Sequence, residues 1–317
     1  MRLVINKNIC CKQLLEQKAT NKSQTTIHPF ISPRLYFVLV FDESTPRSDF
    51  HCVSISLFLF LKYICKLKTR LILRYFIEFA YNGTNYHGWQ LQPNAPTVQQ
   101  ALTEAISTLL RQPIELVGAG RTDAGVHAKQ MFAHFDYDSP LDKASLIQKM
   151  NSFLPPDIVV YQFHEVATDA HARFDATDRT YEYHLHLFKD AFVHPLSYYH
   201  HRPLDVALMN QAAQILFEYE DFECFSKTHT DVFTFNCTIY KAEWTYLNDN
   251  QLVFTVCANR FLRNMVRAIV GTLINVGLHK ITLDDFRAII ESKDRGQAGF
   301  SVPGKGLFLT QVGYPYL

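Results

Sequence analysis

Eleven residues, Gly118–Ala128 (GAGRTDAGVHA), constrain this chain more than any other stretch. An apolar run from Ile114 to Val117 leads in, and another from Met131 to Phe135 leads out, so the segment reads as a loop between strands. Its glycines and alanines leave almost no side-chain bulk, which suits a sharp turn or the close approach of a ligand. Two long polar groups stand in this small-residue setting, Arg121 and Asp123. In an extended segment, positions two apart project to one side. A carboxylate beside a guanidinium stays ionised at neutral pH, the state required of a nucleophile or general base. The alternative is a structural ion pair that only fixes the loop, and spacing alone does not choose between them. A dinucleotide-binding reading fits less well. The glycines run G-x-G-x-x-x-x-G, and Lys129 to Asp136 reads as a strand where that motif needs a helix.

The elements around the loop give the fold class. Leu73 to Tyr81 reads as a strand with Tyr75, Ile77 and Phe79 on one side. Thr97 and Gln100 form a capping box for a helix whose apolar face is Val98, Ala101, Leu102, Ala105, Ile106, Leu109 and Leu110. A second helix, about Leu141 to Phe153, stops at Pro155-Pro156, and Asp157 to Val166 is the next strand. The order β-α-β-β-α-β is the ferredoxin-like pattern. The second half repeats it: strand Arg179 to Phe188, helix Leu204 to Tyr219, a hairpin of Thr238 to Leu247 and Gln251 to Ala258, helices Arg260 to Val276 and Leu283 to Glu291, and strand Leu307 to Tyr314. The expected class is α+β: two ferredoxin-like (RRM-like) α/β halves, 71–167 and 168–317, with mixed antiparallel sheets side by side and a cleft between them.

Charge separates off the N-terminus. Residues 1–70 hold eleven Lys or Arg against four acids, and the remainder 20 against 26. A mildly acidic body argues against general nucleic-acid affinity, so an RNA ligand needs a local basic stripe. Residues 1–70 show no sustained period and are expected to be a poorly ordered extension. The apolar run Val53 to Ile64 falls short of the ~20 residues of a spanning helix. A short basic-flanked anchor, Phe58 to Arg70, is the membrane alternative. The seven cysteines are odd in number and form no C-x-x-C pair. That pattern points to free thiols in a reducing, cytoplasmic compartment rather than to disulfides or zinc.

Three further constellations carry chemistry. Arg260, Arg263 and Arg267 share one face if the segment is helical throughout, a guanidinium stripe suited to phosphate. Tyr181 and Tyr183 point to one side of their strand, as core residues or as base-stacking rings. His184 and His186 share a strand face, yet no Cys or acid stands at zinc-ligand spacing nearby, and no metal is expected. His127 reads as a brace for the loop.

The string G-A-G-R-T-D-A-G-V-H-A resembles the catalytic loop of the tRNA pseudouridine synthase A (TruA) family. Tyr81 to Gln90 (YNGTNYHGWQ) resembles that family's opening segment, Arg179 to Tyr183 (RTYEY) its tyrosine strand, and Asn259 to Arg267 (NRFLRNMVR) its arginine-bearing helix. The likeness runs from about Arg74 to the C-terminus and does not cover residues 1–70. It implies isomerisation of uridine to pseudouridine at positions 38, 39 and 40 of the tRNA anticodon stem-loop, without a cofactor. By the same resemblance Asp123 is the nucleophile or base, Arg267 its partner, and Tyr181 lies against the uracil. Arg121 then fills the space left by the extruded base, and Arg260 contacts the RNA backbone. A homodimer with one tRNA touching both subunits is implied as well. The tail Ala298 to Pro303 (AGFSVP) departs from the family's commoner A-G-P-T-A-P. Two other readings compete. A non-catalytic RNA-binding module lacks the aromatic-rich RNP signature, and an aspartyl phosphotransferase lacks further acids to hold magnesium.

Overall fold

The computed structural model describes residues 72–228 and 233–317. The N-terminal extension and its candidate anchor, Phe58 to Arg70, lie outside the described residues. No helix among the described residues is long and apolar enough to cross a membrane.

Strand β1 (Leu73–Tyr81) has Tyr75, Ile77 and Phe79 at zero exposure, and Phe76 on the opposite side is equally buried. A strand covered on both faces belongs in the middle of a sheet. It lies antiparallel to β3 (His127–Tyr137) on one side and to β4 (Ile158–Val166) on the other. Helix α1 (Val98–Leu110) crosses to the two-residue β2 (Val117–Gly118), which pairs with β3. Helix α2 (Lys143–Phe153) crosses from β3 to β4. The α1 capping box is half-formed. Thr97 accepts from the Gln100 amide N–H at 3.3 Å, but the Gln100 side chain donates to Glu104 at 2.8 Å, one turn on.

The same order recurs as β5 (Asp178–His186), α3 (Val206–Ile215), the hairpin β7 (Ile239–Asn248) and β8 (Gln251–Ala258), α4 (Met265–Gly277) and β9 (Leu307–Gly313). The short β6 (Tyr198–Tyr199) pairs with β5, and α5 (Leu283–Ser292) is added before β9. A reciprocal capping box of Thr282 and Asp285 starts α5. The two expected sheets are joined into one. Its order is β4-β1-β3-β9-β5-β8-β7. β9 runs parallel to β3 and antiparallel to β5. β2 is only two residues long, and Ile114 and Leu116 ahead of it are buried as irregular chain instead of strand.

Two cores line this sheet. One gathers Phe76, Phe79, Leu102, Met131 and Phe135. The other gathers Tyr183, Phe225, Phe254, Ile269 and Leu273. Tyr181 packs against both, which places it at the seam.

Candidate active site

The loop is tied down at several points before its polar side chains are considered. The Ala119 N–H bonds to the Phe132 carbonyl at 2.8 Å, and Gly125 N–H to that of Tyr86 at 3.2 Å. Between them a turn closes from Val126 N–H to the Asp123 carbonyl at 3.2 Å. Gly88 lies directly under the loop with φ +94°, and a Cβ there would collide with the Thr122 carbonyl oxygen. Glycine is required at this position by both backbone angle and space. His127 begins β3, 2% exposed. Its Nδ1 accepts from the Gly83 N–H at 2.9 Å, which leaves Nε2 to donate to the Lys305 carbonyl at 3.0 Å. Burial pushes this imidazole below its ordinary pKa, so it serves as a neutral brace.

Asp123 projects from this held loop toward α4. Its Oδ2 accepts from Nη1 of Arg267 at 2.9 Å. Arg267 Nε donates to the Val302 carbonyl at 2.7 Å, and Val302 N–H returns a bond to the Arg267 carbonyl at 3.2 Å. The guanidinium is therefore aimed by the 298–303 tail. That tail lies close on the helix because Gly271 has no side chain; a Cβ there would fall on the Phe300 carbonyl. Arg263 Nε stands 4.0 Å from the other carboxylate oxygen.

Tyr181 is half-buried, its ring edge-on to Phe261 with centroids 5.2 Å apart. Burial pushes its phenol up to about 12; Arg179 opposes the shift and the Asp123 charge adds to it. The phenol is therefore neutral at physiological pH. Tyr81 bonds through its hydroxyl to Thr122 Oγ1 at 2.9 Å, and burial raises its pKa as well.

The structure brings Asp123, Arg267 and Tyr181 together and corrects two expectations. Arg121 is exposed, and among the described residues no hydrogen bond or ion pair joins it to Asp123. The partner of the carboxylate is Arg267, the residue that the family resemblance implied, 144 residues along the chain. The arginine stripe does not lie on one helix face either. Asn264 has φ +68°, and α4 starts at Met265. Arg260 and Arg263 thus precede the helix. Leu262 between them is 5% exposed and anchors the segment in the second core. Arg260 is half-buried near Cys237, whose thiol burial raises to about 11 against the pull of that guanidinium.

Asp123 opens into a cleft, and sequence reading, which expected a cleft between the halves, did not single out Lys227, Arg295 and Ser301, which line it. The cleft has a volume of about 440 Å³ and is lined by Asp123, Lys227, Thr228, Arg263, Asn264, Arg267, Arg295 and Ser301. Four cations face one carboxylate, an arrangement that attracts an anionic ligand. Asp123 itself is 26% exposed, so the ion pair is open to that ligand rather than sealed in a core. Among the described residues no three His, Cys, Asp or Glu converge to hold a metal ion.

A sequence family described as tRNA pseudouridine synthase matches residues 78–175 and 212–315. The chain is 56% identical over 244 residues to the tRNA pseudouridine synthase A of Bacteroides thetaiotaomicron, covering 76% of this chain and 91% of that protein. It is 56% identical over 245 residues to the protein of the same name in Porphyromonas gingivalis, covering 76% and 97%. The corresponding protein of Exiguobacterium sibiricum is 37% identical over 244 residues, covering 76% and 97%.

Proposed function

The chain belongs to the tRNA pseudouridine synthase family, whose members are isomerases, and from that premise we propose that it converts uridine to pseudouridine at positions 38, 39 and 40 of the anticodon stem-loop, with the Asp123 carboxylate opening the reaction. The observation that carries this reading is the Asp123–Arg267 pair at 2.9 Å, open to a cationic cleft.

The chemistry asked of the site is a rearrangement. The bond from ribose C1′ to N1 of uracil breaks, the ring turns, and C1′ bonds to C5. The C5 proton leaves to solvent and N1 gains one, so the atoms balance with no redox partner and no external group. Asp123 can begin by attacking C1′, by attacking C6, or by taking a ribose proton to give a glycal. In each case Arg267 holds the carboxylate in place, as a preorganised charge does for any developing transition state. Tyr181, a neutral phenol at the seam of two cores, gives the detached uracil an apolar wall with one hydroxyl for proton transfer. The target nucleotide must leave the stack to reach this site. In this reading the exposed Arg121 occupies the vacated space and Arg260 meets the backbone. The partner is tRNA, bound by a homodimer in the cytoplasm, where the unpaired Cys224, Cys237 and Cys257 stay reduced.

The test is release of tritium from 5-tritiated uridine in anticodon stem-loops carrying a single uridine at 38, 39 or 40. Wild type is expected to release it from all three RNAs and Asp123→Asn from none. Equal release by the two proteins removes Asp123 from its role. Release by neither protein favours the RNA-binding module.

A further inference from the structure

Arg179 stands two residues before Tyr181 on β5, in a stretch that pairs regularly with β8, so the two side chains share one face of the strand. Its guanidinium makes four hydrogen bonds, and every acceptor is a main-chain carbonyl. Nη1 donates to Ala176 at 2.9 Å and to Asn259 at 2.8 Å. Nη2 donates to Arg173 at 2.7 Å and to Ala119 at 3.3 Å. Burial pushes this group below the ordinary arginine pKa, the cost of taking a cation from water without a bonded carboxylate. Its charge reaches the neighbouring ring, where it opposes the rise that burial imposes on the Tyr181 phenol.

The four carbonyls come from three separate stretches of chain. Ala119 opens the Asp123 loop. Arg173 and Ala176 lie in the connection from β4 to β5, between the two halves. Asn259 follows β8 and opens the segment that leads to Arg267. The two ends of this bridge are themselves anchored. Ala119 N–H is held by the Phe132 carbonyl at 2.8 Å, and Asn259 N–H by that of Thr238 at 3.1 Å. Asn259 Oδ1 accepts in return from the Thr238 N–H at 2.9 Å. One rigid plane therefore fixes the start of the loop against the start of the arginine segment. Further along the same two segments, Asp123 and Arg267 meet at 2.9 Å.

We propose that Arg179 is a positioning residue for the isomerisation: by bridging the carbonyls of Ala119 and Asn259 it sets how the Asp123 loop meets the segment carrying Arg267, beside the ring that receives the uracil. The inference rests on the isomerase reading above. Arg179 acts on the reaction through Asp123 and Arg267. A lysine cannot replace it, because a single ammonium lacks the two fixed nitrogens that face different segments.

The experiment uses the full-length protein, a stem-loop RNA with one 5-tritiated uridine, and single-turnover release. Arg179→Gln and Arg179→Lys are each made alone and together with Arg267→Lys. Rates are corrected for the folded fraction read from urea denaturation. Both single variants are expected to slow release about ten- to a hundredfold, the scale of one or two lost charge-assisted hydrogen bonds. RNA affinity should stay within about twofold. The double variants are expected to lose clearly less than the product of the single losses, since both changes act on one carboxylate. A brace that serves stability alone gives corrected rates equal to wild type, and that result overturns the proposal. Losses that multiply, or a loss confined to RNA affinity, overturn it as well. Arg179→Lys keeps the charge and the stem, so it carries the test if Arg179→Gln does not fold. Failure of both to fold makes Arg179 a requirement of the fold and also overturns the proposal. No release by wild type removes the isomerase reading, and this proposal with it.

Discussion

Arg267→Lys tests whether Asp123 is held by geometry or by charge alone. The arginine makes two bonds at once: Nη1 to Asp123 Oδ2 at 2.9 Å, and Nε to the Val302 carbonyl at 2.7 Å. A guanidinium spans both because its N–H groups fan out in a rigid plane. An ammonium is a single nitrogen on a flexible stem, so lysine keeps the charge and gives up one bond. A hydrogen bond with an ionised partner contributes about 1.5–3 kcal/mol. If that loss falls on the transition state, kcat drops roughly 10- to 150-fold. KM should stay within about twofold, since the residue grips no substrate group. If lysine turns to Asp123, the carbonyl of the buried Val302 loses a donor, at a cost of about 1–3 kcal/mol of folding stability. Single-turnover tritium release and urea denaturation read the two quantities separately. An unchanged kcat would refute the positioning argument. So would a loss confined to KM, or one that follows the unfolded fraction.

Tyr181→Phe keeps the packing against Phe261 and removes the hydroxyl. Stability should change by less than about 1 kcal/mol while tritium release slows. Because burial pushes the phenol up to about 12, wild type should show no alkaline limb from this group below pH 10, and such a limb vanishing in the variant would contradict that upward shift. His134 is 6% exposed, accepts from the Ala172 N–H at 3.1 Å, and is pushed by burial down to about 4. Its folded pKa lies below the unfolded value of about 6.5, so the unfolded chain binds more protons between the two. The stabilisation is complete above about pH 6.5 and is lost as pH falls toward 4, at most about 3 kcal/mol. Urea midpoints at pH 7 and 5 should differ less in His134→Asn; an equal difference rules this histidine out. At Gly120 a Cβ would meet nothing within 4 Å, whereas at Gly88 it collides with Thr122. Gly120→Ala should therefore leave the melting temperature unchanged and Gly88→Ala lower it by several degrees. The reverse order would mean that the loop sits differently on its support.

What was legible in the sequence follows a physical divide. β1, the β7–β8 hairpin and α1 were readable because their apolar periods are local and strong. The start of α4 was not. Arg260 to Asn264 has helical composition, and only the burial of Leu262 and the left-handed Asn264 end that reading. The shortness of β2 was equally hidden, since Ile114 and Leu116 have strand composition yet are buried without strand pairing. Asp123 stood out through its glycine-rich setting, whereas Arg267 was named as its partner only through the family resemblance. Arg121 was near in sequence and Arg267 is near in space. The cleft wall of Arg295 and Ser301 has no local signature, because it exists only where the tail folds back on α4.

The joint between the halves explains why those distant groups meet with fixed spacing. β9 touches β3 through two paired positions, His127 with Phe308 and Ala128 with Leu309. These lie directly at the exit of the Asp123 loop. On its other edge Leu309 pairs with Tyr181. One residue thus stands between the loop's last fixed point and the tyrosine. Neighbouring strands are about 4.8 Å apart, so the two backbones are held roughly two strand spacings from one another. Just before β9, the chain passes through Val302, which aims Arg267. Asp123, Tyr181 and Arg267 are therefore each referenced to residues 302–309, although they come from three separate parts of the sequence. A one-residue slip of β9 on β5 would turn its buried face outward. The burial of Leu307, Leu309 and Val312 in the two cores forbids that slip. The hydrophobic cost of misregister is what gives the charged groups their geometry.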